Sequence, residues 1–289
     1  MIYTLKNDTL TVNISSRGTE IMSVYGNGCE YIWQGNPEFW ASRAPILFPI
    51  CGRLFGGKYV WQGKEYEMIL HGFARTCEFD LVRAESTYIE FKLTSNEDTR
   101  VSYPFDFTLN VSYTLEGNTL KAAVVIKNDG NTVLPATFGV HPGFNVPLDS
   151  GSFEDWYIEF GEECAPNLLV ASDACLNTGI KKAYPLKDNK ILPLRHDLFD
   201  NDAIYMDRVS RSATLKSNKS QRFLTLKYND MPYLCLWHKS RVSAPYVCIE
   251  PFCGLPSFDG ITDDMATKND MFHITPQSSK TVTYDIIFG

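Results

Sequence analysis

A period-two alternation of apolar and polar side chains recurs from one end of this chain to the other and restricts its fold more than any other feature. Leu10, Val12 and Ile14 alternate with Thr9, Thr11 and Asn13; Ile89, Phe91 and Leu93 alternate with Glu90 and Lys92; Val282, Tyr284 and Ile286 repeat the pattern near the C-terminus. Successive side chains of a strand point to opposite faces, so this is the pattern of strands that bury one face only. Thr108 to Leu115 places Leu109, Val111, Tyr113 and Leu115 on one side, and Glu116-Gly117-Asn118 then turns the chain into Leu120, Ala122, Val124 and Ile126. This predicts a hairpin. Leu224, Leu226 and Tyr228 alternate as well, and Asn229-Asp230-Met231-Pro232 separates them from the apolar run Tyr233 to Trp237.

Helical periodicity is hard to find, and 19 glycines and 15 prolines interrupt most segments within about ten residues. The prediction is an all-β protein, a large antiparallel β-sandwich with few helices. The absence of alternating helices and strands argues against a doubly wound sheet. No repeat, low-complexity tract or linker divides the 289 residues, so one domain over 1–289 is expected. Asn167 to Pro193, polar and Lys-rich, reads as an irregular excursion between strands.

Charge and composition remove several function classes. With 34 acidic against 27 basic residues the formal charge is -7, the wrong sign for a surface that neutralises phosphate backbones, so no nucleic-acid partner is expected. No stretch approaches the roughly 18 apolar residues of a membrane span, and Met1 to Leu10 lack the basic and apolar regions of an export signal. A cytoplasmic protein with no membrane partner is expected. The eight cysteines are then free thiols by default, several of them in apolar runs such as Leu-Cys-Leu-Trp around Cys235 and Val-Cys-Ile-Glu around Cys248. None has zinc-knuckle spacing, and no metal is predicted. Phosphate-binding loops of the GxxxxGK[ST] or GxGxxG type and the Gly-x-Ser-x-Gly elbow are missing, so nucleotide cofactors and serine hydrolysis lack their usual carriers.

A few polar residues stand in surroundings that invite chemistry. His71, in Leu-His-Gly-Phe-Ala-Arg, and His141, in Gly-Val-His-Pro-Gly-Phe-Asn, sit beside glycines at strand ends, where a loop can present a group to a ligand; either also suits a satisfied structural histidine. Glu250 ends the apolar run Tyr246 to Ile249 and precedes Pro251-Phe252, and a carboxylate there is costly unless paired or used. It also suits a partner for a core arginine. Asp202 reads equally as a turn residue. Arg43, Arg53 and Arg75 flank Pro- and Gly-bounded apolar stretches and offer planar donor forks for hydroxyls, carboxylates or phosphate.

Taken together, these segments resemble the aldose 1-epimerase (galactose mutarotase-like) family, especially its LacX-type branch. The resemblance runs through Arg17-Gly18-Thr19-Glu20-Ile21, Glu30-Tyr31-Ile32-Trp33-Gln34-Gly35, Arg43-Ala44-Pro45-Ile46-Leu47-Phe48-Pro49, His71-Gly72-Phe73-Ala74-Arg75 and Cys248-Ile249-Glu250-Pro251, in the family's order. It implies a sugar site on a sheet face and interconversion of aldose anomers without a cofactor. Ring opening needs a base for the C1 hydroxyl proton and an acid for the ring oxygen. By motif position Glu250 matches the base, His141 the acid, His71 a second histidine that bonds a sugar oxygen, Arg53 a sugar-binding arginine and Asp202 the aspartate that holds ring hydroxyls. Arg43 and Arg75 resemble two arginines that hold phosphate in the hexose-6-phosphate epimerase branch. The chain departs from close relatives at Phe252, where they carry tryptophan, and near Ser257, where they carry aspartate.

The expectation is an isomerase acting on a small-molecule hexose or hexose phosphate, with free sugar favoured, as a monomer or homodimer. A hexose-6-phosphate 1-epimerase and a non-catalytic carbohydrate-binding protein of the same fold are the alternatives. A β-sandwich glycosidase would need paired carboxylates about 5 to 9.5 Å apart, of which the sequence places only Glu250.

Overall fold

In a computed structural model that describes residues 1–289, the alternating segments become strands of two large antiparallel sheets. The first has nine strands in the order Ile191–Pro193, Trp156–Phe160, Ser212–Ser217, Phe223–Lys227, Ser279–Phe288, Thr119–Asn128, Phe107–Glu116, Tyr88–Thr94 and Asp80–Ala84. The second has eight. Its path is Asn177–Ala183, Asn167–Ala171, Ile204–Asp207, Tyr233–Trp237, Tyr246–Phe252, Gly139–Val140 and Ile46–Leu47, with Gly143–Asn145 also paired to Tyr246–Phe252. A four-stranded sheet begins the chain (Ile2–Lys6, Leu10–Ser15, Ile21–Gly26, Cys29–Glu30). The one α-helix, Glu97–Ser102, starts at an Asn96 cap whose side chain accepts from Thr99 N–H. No helix is long and apolar enough to cross a membrane.

The buried faces of these sheets meet in a core of 67 residues drawn from Leu5 to Phe288. Leu109, Val111, Tyr113 and Leu115 face it from one strand and Leu120, Ala122, Val124 and Ile126 from the next, while their alternating neighbours reach the surface or near it. Each fully buried aliphatic or aromatic side chain contributes about 1.5–3 kcal/mol relative to exposure, so a charge at Val124 would be ruinous.

Three local readings change. The predicted hairpin is present, but its loop is two residues, Gly117-Asn118, because Glu116 pairs with Thr119; Gly117 takes φ 56°, which needs glycine at little cost. Asn229 to Pro232 is a crossing between the sheets, since Phe223–Lys227 lies in the nine-stranded sheet and Tyr233–Trp237 in the other. The Asp230 carboxylate pins that crossing by accepting from Thr283 N–H and Oγ1–H at 3.0 and 2.9 Å. Asn167 to Pro193 is not irregular: it supplies three strands, two of them at one edge of the eight-stranded sheet. Asn177–Ala183 is exposed along most of its length, and an edge strand wet on both faces carries no alternation to read.

Candidate active site

The strand Tyr246–Phe252 is buried on both faces. Val247 and Ile249 point into the main core, so by strand parity Tyr246, Cys248, Glu250 and Phe252 occupy the other side. The neighbouring strand divides in the same way. Leu234 and Leu236 enter the core, whereas Cys235, opposite Glu250, and Trp237, opposite Cys248, share the outer face. Glu250 is therefore placed by the same alternation that builds the core, and loops fold over it.

On its other side this strand meets a partner interrupted at His141-Pro142, between Gly139–Val140 and Gly143–Asn145. Ile249 N–H donates to the Pro142 carbonyl (3.2 Å) and Cys253 N–H to that of Phe138 (2.8 Å). Pro251, midway between them, has no N–H, so a central strand tolerates proline where its ladder is broken. The interruption lets His141 lean over the strand, with Nε2 3.3 Å from Glu250 Oε2. Its ring stacks on Trp40 (centroids 4.9 Å, 26°) and meets the Trp237 edge at 5.7 Å.

The two groups are 8 % and 1 % exposed, and burial opposes charge on each. It pushes Glu250 well above the ordinary carboxylate range, with the nearby Asp202 charge adding to this and the Cys235 thiol opposing it. It pushes His141 down to about 3, with Arg75 reinforcing the shift. Glu250 Oε1 and His141 Nδ1 are buried with no hydrogen-bond partner. Such orphaned polar atoms in a folded protein call for an explanation, and a ligand that completes them is one.

His71 lies beside them, its ring 5.5 Å from that of His141. Gly52 N–H donates to His71 Nδ1 at 3.0 Å, so the proton of a neutral ring resides on Nε2, which is left as a donor. Burial, His141 and the arginines 75 and 53 all push its pKa down, which keeps it neutral. The His71-Gly72 turn has φ of 65° and 70°, and a Cβ on Gly72 would lie 2.2 Å from the Phe48 carbonyl oxygen. Glycine is thus required to seat the turn against the strand below.

Glu250, His141, His71, Arg53, Arg75 and Asp202 line one open cleft of about 260 Å³. Asp202 accepts from Trp237 Nε1–H at 2.5 Å through one carboxylate oxygen and from the Cys175 thiol at 2.9 Å through the other. Arg75 borders both this cleft and an adjoining polar cavity that includes Arg17, Ser42 and Thr76, and its Nε is buried without a partner. Arg43 does not line the cleft. Its guanidinium donates to the Met22 carbonyl (2.6 Å) and Gln34 Oε1 (2.7 Å), and its N–H donates to Glu20 (2.7 Å), so it ties the first sheet to the loop bearing Trp40. Neither sequence departure lines the cleft itself: Phe252 packs behind its wall, against Cys235 and beside the rings of His71 (6.3 Å) and Tyr205 (6.4 Å), and the Ser257 hydroxyl donates to buried Asp263.

The cleft also holds Trp40, Trp237, Tyr205, Cys175 and Cys235, which the sequence reading did not name as site residues. The signal for Cys235 and Trp237 was present, because they alternate with core leucines. Trp40 and Cys175 come from loops and had none. All eight cysteines are free. Ligand atoms of His141, Cys248 and Glu250 lie within 4.8 Å of one another, the one group able to approach a metal, although burial drives both acids toward their protonated, non-ligating forms.

Two stacked antiparallel sheets with a buried His–Glu pair on one outer face form a galactose mutarotase-like β-sandwich, and the chain matches the aldose 1-epimerase family over residues 1–261. The protein belongs to that family. It is 33% identical over 297 aligned residues to Protein LacX of Lactococcus lactis subsp. lactis, covering 99% of each chain. A galactose mutarotase related enzyme from Lactobacillus acidophilus superposes with TM-score 0.94 at 31% identity, covering 100% of this chain and 97% of that one. A galactose mutarotase-like protein from Lactobacillus casei ATCC 334 superposes with TM-score 0.95 at 30% identity over the whole of both. Membership supports an isomerase-type enzyme whose substrate is a small sugar.

Proposed function

We propose that the protein is an aldose 1-epimerase that interconverts the α and β anomers of a free hexose. The observation that carries this is the His141–Glu250 pair, 3.3 Å apart at the floor of an open cleft. The pair reacts in the microstate where its one shared proton has passed from Glu250 to His141: Glu250 then takes the C1 hydroxyl proton as the C1–O5 bond breaks, and His141 delivers its proton to O5, giving the open-chain aldehyde. Rotation about C1–C2 and reversal of the two transfers close the ring as the other anomer. Atoms and electrons balance without a cofactor, and the pair needs one proton between its two members. His71 Nε2–H, Asp202 and Arg53 hold the sugar's remaining oxygens, with Trp40 and Trp237 as apolar walls.

Arg75 and Arg43 bear on phosphorylated sugars. Since Arg43 is bonded into the scaffold, only one of the two stands ready for a phosphate, and this favours the free sugar. The experiment is polarimetric equilibration of pure anomers of glucose, galactose and their 6-phosphates. Acceleration of a free hexose over the spontaneous rate is expected. Acceleration confined to the phosphates would establish the hexose-6-phosphate reading, and saturable binding without acceleration would establish a carbohydrate-binding protein.

A further inference from the structure

Asp202 ends a short turn that is fastened from outside the cleft. The turn His196–Phe199 is a single 3₁₀ turn without a side-chain cap, and Asp202 N–H donates back to the Phe199 carbonyl at 3.0 Å. Asp202 itself has φ 71°, in the left-handed region, which aspartate tolerates better than most non-glycine residues. One restraint is the Trp237 Nε1–H bond already described. A second lies one residue further along the same strand end. His238, fully buried, places Nε2 3.1 Å from His196 Nδ1. Phe199 packs on the His238 ring at 4.2 Å, and Phe153 stacks on that of His196 at 4.1 Å.

The proton positions in this pair follow from its ends. His238 Nδ1 is 2.7 Å from the Lys239 carbonyl oxygen, which can only accept, so His238 carries hydrogen on Nδ1. Its Nε2 is then a lone pair and must receive Nδ1–H of His196. Burial keeps His238 neutral, with its pKa lowered to about 4. His196 Nε2 faces Glu154 at 3.8 Å, away from the sugar site. The segment 196–202 and the end of Tyr233–Trp237 are thus joined twice, by Asp202–Trp237 inside the cleft and by His196–His238 behind it.

We propose that His196 and His238 are positioning residues for the sugar site: their hydrogen bond locks the turn that sets the Asp202 carboxylate against the substrate's hydroxyls. This rests on the sugar-holding role of Asp202 given above. A hydroxyl remote from C1 and O5 is held alike in ground and transition states, so loosening Asp202 raises KM and spares kcat.

The test uses His196→Phe, which keeps the stack on Phe153 but removes the donor, and His196→Asn, whose amide retains a donor at the δ position. Two readouts are taken: KM and kcat for the best hexose of the panel, and the indole N–H resonance of Trp237, one of five tryptophans, assigned with Trp237→Phe. His196→Phe is expected to raise KM about tenfold, the worth of a hydrogen bond to a carboxylate, with kcat within about twofold. It should also move the Trp237 resonance. His196→Asn should restore both, and in an Asp202→Asn background His196→Phe should add nothing to KM. If His196→Phe does not fold, His196→Gln, whose amide reaches past the δ position, replaces it with the same expectation. An unmoved Trp237 resonance with wild-type KM, or an equal rise in KM with and without Asp202, overturns the proposal. Should the wild-type protein be inert on every sugar, the functional reading fails separately, and the Trp237 resonance across the same variants still decides the clasp.

Discussion

Replacing Glu250 with glutamine should make the protein more stable and nearly inactive, and the structure fixes how the gain depends on pH. Glu250 is 1 % exposed, one of its oxygens has no partner, and burial raises its proton affinity well above the ordinary value of 4.5. Below pH 4.5 the side chain is protonated in folded and unfolded chains alike, and the two proteins should differ little. As pH rises, the unfolded chain ionises while the folded one holds its proton, so wild-type stability falls relative to the variant by about 1.4 kcal/mol per pH unit until the folded pKa is passed. The gap should widen as pH rises above 4.5, with the variant ahead, and level off once the folded pKa is passed. Urea unfolding of both proteins at pH 4.5, 5.5 and 6.5 measures it. In parallel, anomer equilibration should slow by roughly 10²-fold or more, the usual worth of a positioned base. A constant gap across the series would mean that Glu250 is ionised at little cost in the fold. A folded variant of near-normal rate would remove it from the chemistry.

Three further outcomes follow from the same geometry. His141→Asn should lower kcat by about 10²-fold with a modest change in KM, because the acid acts only as the ring bond breaks; steady-state kinetics on a variant of unchanged melting temperature checks it. Arg75→Met should remove whatever preference the enzyme shows for a 6-phosphorylated over a free hexose, whereas Arg43→Met should leave that KM ratio alone and lower the melting temperature through its lost bonds to Met22 and Gln34. Gly72→Ala should destabilise by about 2 kcal/mol or more, since its φ of 70° and the Phe48 carbonyl leave no room for a methyl group, and thermal unfolding reads this directly.

Where a strand buries one face, the sequence shows it: Phe107–Glu116 and Thr119–Asn128 alternate in the chain as they do in the sheet. The signal disappears at both extremes. Tyr246–Phe252 is covered on both sides and reads as a continuous apolar run, while Asn177–Ala183 is wet on both sides and reads as a loop. The site was legible to the extent that unusual residue types stood in unusual surroundings, as with Glu250 in an apolar strand and the histidines beside glycine. Arg43 shows the limit. A guanidinium advertises anion binding in any sequence, but the Met22 carbonyl and Gln34 that occupy this one are 21 and 9 residues away, and nothing local announces them. The His196–His238 pair is hidden for the same reason, being separated by 42 residues.

The division of labour between strand and loop bears on what this fold can vary. Glu250 lies mid-strand between core residues Ile249 and the strand's broken ladder at Pro251, so moving it would disturb the packing of both sheets. Other residues lining the cleft hang instead from turns: His71 at φ 65°, Asp202 at 71° and Cys175 at 59°. A turn can be reset by a few substitutions without shifting the core, whereas a strand cannot. Chemistry at C1 and O5 is common to all aldoses, and recognition of the remaining hydroxyls differs between them. Under the proposed mechanism the base of the shared step therefore resides on the strand least free to move, with its acid in the ladder break beside it, and sugar preference is set by loops such as the one the histidine clasp secures.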